Sequence, residues 1–97
     1  MPTFIMLSTL GPDGAARIVE EPERIKGVNA EVEAMGVKVL QQYALLGTYD
    51  FLNILEAPDQ ETMAKVALTL ASRGTVKSVT LTAIPVDDFI TRLRQPD

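Results

Sequence analysis

Residues 45–59, "LLGTYDFLNILEAPD", hold a glycine turn, an apolar strand and a helix start, and their reading decides the fold. Gly47-Thr48 separates two strand-like runs, "VKVLQQYALL" (37–46) and "YDFLNILEA" (49–57). Glycine tolerates positive φ and suits the first position of a tight hairpin turn, so the two runs are expected to pair antiparallel. With a two-residue turn, Tyr43 stands opposite Leu52 and Ala44 opposite Phe51; a longer loop reverses that assignment, which leaves the face of each residue open. After Pro58, Asp59 can cap the free N–H groups of a helix, with Glu61 in its positively polarised first turn. Met63, Val66, Ala67 and Leu70 then form the buried face of that helix, which ends at Gly74.

Working outward, "TFIMLSTL" (3–10) is rich in β formers and stops at "GPDG", a cluster of turn formers that opens an expected loop to about Glu21. From Pro22 onward, Ile25, Val28, Val32 and Met35 fall at spacings of 3, 4 and 3. That is one stripe of a 3.6-residue helix, expected over 22–35, with Gly36 closing it in the left-handed conformation. Gly27 within it costs ~1 kcal/mol relative to alanine and is expected to weaken the helix without moving it. "TVKSVTLTAI" (75–84) reads as the last strand, and "VDDFITRL" (86–93) as a short helix capped by Asp87 and anchored by Phe89 and Leu93. The order βαββαβ plus a tail helix is the ferredoxin-like α+β pattern: a four-stranded antiparallel sheet with two helices on one face, here one domain over residues 1–97. No internal repeat is evident.

Composition narrows the chemistry. Nine Lys and Arg against 13 Asp and Glu give a net charge of −4, which argues against a phosphate-binding surface and so against nucleic acid as a partner. There is no cysteine and no histidine. Disulfides, thiol nucleophiles and thiolate metal sites are thereby excluded, in keeping with a reducing cytoplasm. So are a Ser-His-Asp triad and a zinc hydrolase centre that depends on imidazole. The first residues lack a basic region ahead of their short apolar run, which reads as a strand, not a signal peptide or membrane span. The acidic residues Glu20, Glu21, Glu23, Glu31 and Glu33 read as a solvated face without calcium-loop spacing, and the glycines form no phosphate cradle, so no metal or cofactor is expected.

The strands carry a second signal. A sheet with one wet face alternates apolar and polar residues, but strand 1 has Phe4 and Met6 on one parity and Ile5 and Leu7 on the other. In the third strand Phe51 and Leu55 oppose Leu52 and Ile54 in the same way. Two helices cover one face only. The other is expected to pack against another chain, most simply in a homodimer or higher oligomer.

At "LGTYDFLNILEAPD" the chain resembles the GYD domain family, whose Gly-x-Tyr-Asp turn precedes an apolar strand and an Ala-Pro-Asp helix start. The resemblance extends through "MPTFIMLSTL", "EEPERI", "EAMGVKVL", "SRGTVKSVTLTAI" and "VDDF", essentially the whole chain. It implies a ferredoxin-like fold assembled as a dimeric α/β barrel. A looser resemblance, through the turn and the entry to the last strand, is to the effector-binding domain of leucine-responsive regulators. No helix-turn-helix segment accompanies it.

Gly47 is expected to act as the structural turn of a hairpin in which Asp50 hydrogen-bonds loop amides and Tyr49 packs with its hydroxyl satisfied; on the functional reading, Tyr49 and Asp50 sit at the mouth of an intersubunit barrel, where they would contact a small polar ligand. Tyr43 and Asn53 are further candidates beside them, and Arg17 offers a bidentate fork for a carboxylate. The functional expectation is a homo-oligomeric domain that binds a small molecule or assembles through its sheet face. The alternative is a cofactor-independent enzyme, performing proton transfer or oxygenation in the intersubunit cavity, with Asp50 as base and Tyr43 or Tyr49 as donor.

Overall fold

The computed structural model describes residues 1–74 and 76–96. In chain order these form β1 (Thr3–Leu10), α1 (Pro12–Glu20), a short 3-10 helix (Pro22–Lys26), α2 (Asn29–Ala34), β2 (Lys38–Ala44), β3 (Phe51–Glu56), α3 (Gln60–Ala71), β4 (Val76–Ala83) and α4 (Val86–Arg94). The strands make one antiparallel sheet in the order β2-β3-β1-β4. The first and third strands are therefore central, as the ferredoxin-like reading requires. Thr75, the expected first residue of the last strand, lies outside the described residues.

Register assigns each paired strand residue to a face. Phe4 pairs with Leu55 and Thr82, Met6 with Asn53 and Thr80, and Ser8 with Phe51 and Ser78. Directly opposed residues point to the same side of a sheet, so these share one face, joined by Val39, Gln42 and Ala44 of β2. Phe4, Met6 and Leu55 are buried with Val32, Val37, Ala57, Met63 and Val66 in a single core, which places α2 and α3 over this face. Tyr43 stands opposite Leu52 and Ala44 opposite Phe51, the register of the two-residue turn.

The local signals explain α3 well. Asp59 Oδ1 accepts a hydrogen bond from the Thr62 N–H at 2.7 Å, satisfying one of the free donors of the helix start. Met63 and Val66 are buried, Ala67 and Leu70 pack beside them, and Gly74 follows the helix at φ 73°. Arg73 then donates to both carboxylate oxygens of Glu31 on α2, at 2.8 Å to Oε2, tying the two covering helices together. Asn29 and Gln42 exchange side-chain hydrogen bonds of 2.9 and 3.3 Å, which fasten the start of α2 to β2.

Three expectations are corrected. Residues 12–20 are helical, not a loop: Pro12 occupies the first turn of α1, where its fixed φ favours the helix and its missing N–H costs nothing. The helix expected over 22–35 is broken into the 3-10 segment and α2. The interruption falls at Gly27 and Val28, and Gly27 N–H closes the 3-10 turn on the Arg24 carbonyl at 3.0 Å. Gly36 does close α2 at φ 93°, with Val37 N–H donating to Val32 O at 3.2 Å. Finally, α4 is preceded by Pro85 and not capped by Asp87, which lies in its first turn, and Phe89 and Leu93, expected as anchors, stay 50% and 69% exposed on a helix with no buried residue.

Hydrogen bonds from Thr62, through its side chain first and its backbone second, hold the Asp59 carboxyl below the usual aspartate range; the Arg73 hydrogen bonds do the same for Glu31. A depressed folded-state pKa stabilises the fold above the unfolded-state value, and that stabilisation is lost as pH falls through the folded-state value. Asp59→Ala is accordingly expected to melt below the wild type at neutral pH, with the difference closing under acid conditions. Thermal unfolding followed by circular dichroism across pH measures both.

Candidate functional site

The β2–β3 corner is built around Asp50. Its N–H donates to Ser8 O at 2.8 Å, its carbonyl accepts from Leu45 N–H at 2.8 Å, and its Oδ2 accepts from Leu10 N–H at 2.7 Å. The last of these extends the β1–β3 ladder. Regular pairing ends at Ser8 and Phe51, and the carboxylate gives the next inward N–H an acceptor where β3 no longer supplies a carbonyl. Gly47 has φ 141°, a conformation side-chain-bearing residues rarely adopt, and a Cβ there would meet no atom within 4 Å, so backbone conformation and not space favours glycine. Tyr49 is half-buried beside it.

The open face of the sheet is apolar. Ile5, Leu7, Leu52, Ile54, Val79 and Leu81 share it with Tyr43, by register. Leu81 and Tyr43 are 48% and 50% exposed, and no helix of the core packs there. Tyr43 OH donates to Gln41 Oε1 at 2.9 Å on the same face. Near the margins stand Lys38, Glu56 and Lys77.

On the covered face, a cleft of about 140 Å³ opens between the end of α3 and the sheet. Its polar lining is Ser8, Asn53, Ser78 and Arg73, and Met6, Val28, Leu70 and Val76 supply apolar walls. Ser8 is only 6% exposed. One pair along β4 from Ser78, Thr80 Oγ1 is buried without a hydrogen-bond partner. Ser8, Asn53, Ser78 and Thr80 thus lie on the covered face, between the sheet and its helices.

The structure distributes the five candidate residues instead of gathering them. Tyr49 and Asp50 form the corner, Tyr43 stands on the open face, and Asn53 on the covered face lines the cleft. Arg17 is exposed on α1, where it lines a separate shallow groove with Arg24, Ile18 and Val76. Sequence reasoning missed Ser8 and Ser78. Their parity with Phe4 and Met6 was the available signal, but it becomes useful only when register is known. Among the described residues no group of three or more acidic side chains could hold a metal ion, and no helix is long and apolar enough to cross a membrane.

The GYD domain family model matches residues 4–93, from β1 through the Gly47–Asp50 corner to the last turns of α4. The chain belongs to the GYD domain family. A Thermus thermophilus protein described as "Glutamine synthetase and cystathionine beta-lyase binding protein" is 60% identical over 95 residues, covering 97% of this chain and 100% of that protein. The crystal structure of FFRP-DM1 is similar with a TM-score of 0.60 at 17% identity, covering 87% of this chain and 100% of that one. That likeness agrees with the ferredoxin-like fold.

In this GYD domain the aspartate of the signature carries a definable structural load. Asp50→Ala leaves Leu10 N–H without its charged acceptor, and a stability loss of about 1–3 kcal/mol is expected in urea denaturation. Hydrogen exchange is expected to quicken at Leu10 more than in the α3 core.

Proposed function

We propose that this GYD domain is a binding protein that self-associates through its open sheet face and, so assembled, holds another protein. The carrying observation is the face itself: six aliphatic side chains and Tyr43 lie on one side of a sheet whose helices occupy the other. Full burial of each large side chain contributes roughly 1.5–3 kcal/mol, so association recovers a substantial part of that for each half-exposed residue. Two sheets stacked face to face at the usual ~10 Å spacing would form the barrel-like dimer expected from the sequence.

The relative's description supplies candidate partners. It supports a glutamine synthetase or a cystathionine beta-lyase as the protein held, within a cytoplasm where such partners are available. Catalysis by Asp50 with Tyr43 or Tyr49 has weaker support, because the Asp50 carboxylate already serves Leu10 N–H and Tyr43 stands on the open face. Purified glutamine synthetase and cystathionine beta-lyase, each mixed with the whole chain in sedimentation velocity, test the proposal. Binding of at least one with Kd below about 10 μM is expected. Absence of binding to both removes the enzyme-partner reading.

A second reading, a small-molecule site, is favoured by the cleft beneath α3. Ser8, Ser78 and Asn53 offer hydroxyl and amide groups at the base of an apolar pocket, and Arg73 is neutralised by Glu31. A small uncharged molecule with one hydrogen-bonding end fits this chemistry, since an engineered apolar cavity of ~150 Å³ accommodates a benzene-sized body. Titration of isotope-labelled protein with isovaleramide is expected to give saturable amide shifts at Ser8, Asn53 and Ser78. Shifts confined to other regions would remove this site.

A further inference from the structure

We infer that the cleft beneath α3 continues outward into the groove beside α1, and that together they hold a short carboxylate, its uncharged end inside and its carboxylate on Arg17. The inference rests on the small-molecule reading of the cleft given above and extends that ligand by an anionic end. The sheet register places the two compartments in line. Ser8 pairs with Ser78 and Leu10 with Val76, and alternation along β1 and β4 puts all four on the covered face. Successive pairs on one face are ~7 Å apart along the strands. The inner pair lines the cleft, the outer pair lines the groove, and Val28 and Val76 border both.

The groove holds about 180 Å³. Gly14, Arg17 and Ile18 form its α1 wall at i, i+3 and i+4, one face of the helix, and Gly14 places no side chain beside the guanidinium. Arg24 of the 3-10 helix completes its polar lining, and among the described residues no acidic side chain is part of it. Leu10, Ile18 and Val76 are half-buried and give the passage toward Ser8 and Ser78 an apolar surface suited to a methylene chain.

The arginines that reach this trough differ in what they have left to give. Arg73, at the cleft, donates to both carboxylate oxygens of Glu31. Arg24 donates from Nε to Glu21 Oε2 at 2.7 Å, and its terminal nitrogens engage no described residue. Arg17 is exposed, and no described carboxylate lies within ion-pair distance of it. Positive charge is therefore compensated at the inner end and uncompensated at the outer end. That asymmetry orients the ligand, because an uncharged group suits the serine hydroxyls and the Asn53 amide, whereas a guanidinium fork matches a carboxylate with two parallel hydrogen bonds. The net charge of −4 gives an anion no long-range attraction, so the preference has to come from this direct contact.

The test titrates isotope-labelled full-length protein with two probes: adipamate, a linear carboxylate with an amide at its other end, and adipamide, its neutral diamide. Both are expected to shift the amide signals of Ser8, Asn53 and Ser78. Adipamate alone is expected to shift the Gly14 amide and the Arg17 Nε–H, and to bind at least about fivefold more tightly than adipamide. Arg17 makes no contact that the fold depends on, so Arg17→Gln is expected to keep the amide spectrum of the sheet and to erase the preference for adipamate. Equal affinities in the wild type, or a preference that survives Arg17→Gln, would overturn the anionic end and leave the cleft reading standing. Shifts confined to Gly14 and Arg17 would overturn the joined site. A wild type in which neither probe shifts Ser8, Asn53 or Ser78, nor Gly14 or Arg17, would remove the cleft reading together with its extension.

Discussion

A sheet has two faces, and this chain provides core-forming helices for one. The consequences run through the whole molecule. Phe4, Met6 and Leu55 meet Val32, Met63 and Val66 on the covered side, and that contact fixes where α2 and α3 lie. The opposite parity, with Ile5, Leu7, Leu52 and Ile54, is then committed to the outside by register alone. A one-residue slip would exchange the two sets. Since both are apolar, burial by itself would resist such a slip less than in a sheet with one polar face. Register must therefore be held by other means.

The Gly47–Asp50 corner is one of those means. Asp50 engages Ser8, Leu45 and Leu10 with three different groups, and each bond presupposes the pairing of Ala44 with Phe51 and of Ser8 with Phe51. A shifted strand would leave an inward N–H and a partly buried carboxylate without partners, each costly to leave unsatisfied. The Asn29–Gln42 exchange acts similarly at β2, since Gln42 reaches α2 only from the covered face. On this physical account the tyrosine-aspartate turn is first a register lock. Any binding role at the same corner would have to use groups other than the Asp50 oxygen already committed to Leu10.

Much of this was legible in the sequence because the deciding signals were local. β1 over 3–10, α3 after the Asp59 cap and the Gly36 closure each follow from neighbouring residues. The hairpin register followed from Gly47-Thr48 once turn length was settled. What was not legible depended on competition or on distance. "GPDG" is a turn signal and also a helix start, and the following "AARIVE" decided for helix. Gly27 interrupts a helix that its propensity alone would only weaken. Asn53 and Tyr43 could not be assigned to opposite faces without the register, and Phe89 and Leu93 carried an apolar pattern that says nothing about whose surface receives it.

An exposed apolar face beside open strand edges invites uncontrolled association, so the edges matter as much as the face. β2 is interrupted by an irregularity between Val39 and Gln41 and begins with Lys38; β4 carries Lys77. Bulges and lysines are the ordinary means of discouraging edge-to-edge pairing. The net charge of −4 adds a general repulsion between copies. Edge pairing of this kind can propagate without limit, whereas face-to-face stacking about a twofold axis closes on itself. On the self-association proposed above, discouraging the first while leaving the second open would direct the apolar surface toward a finite assembly.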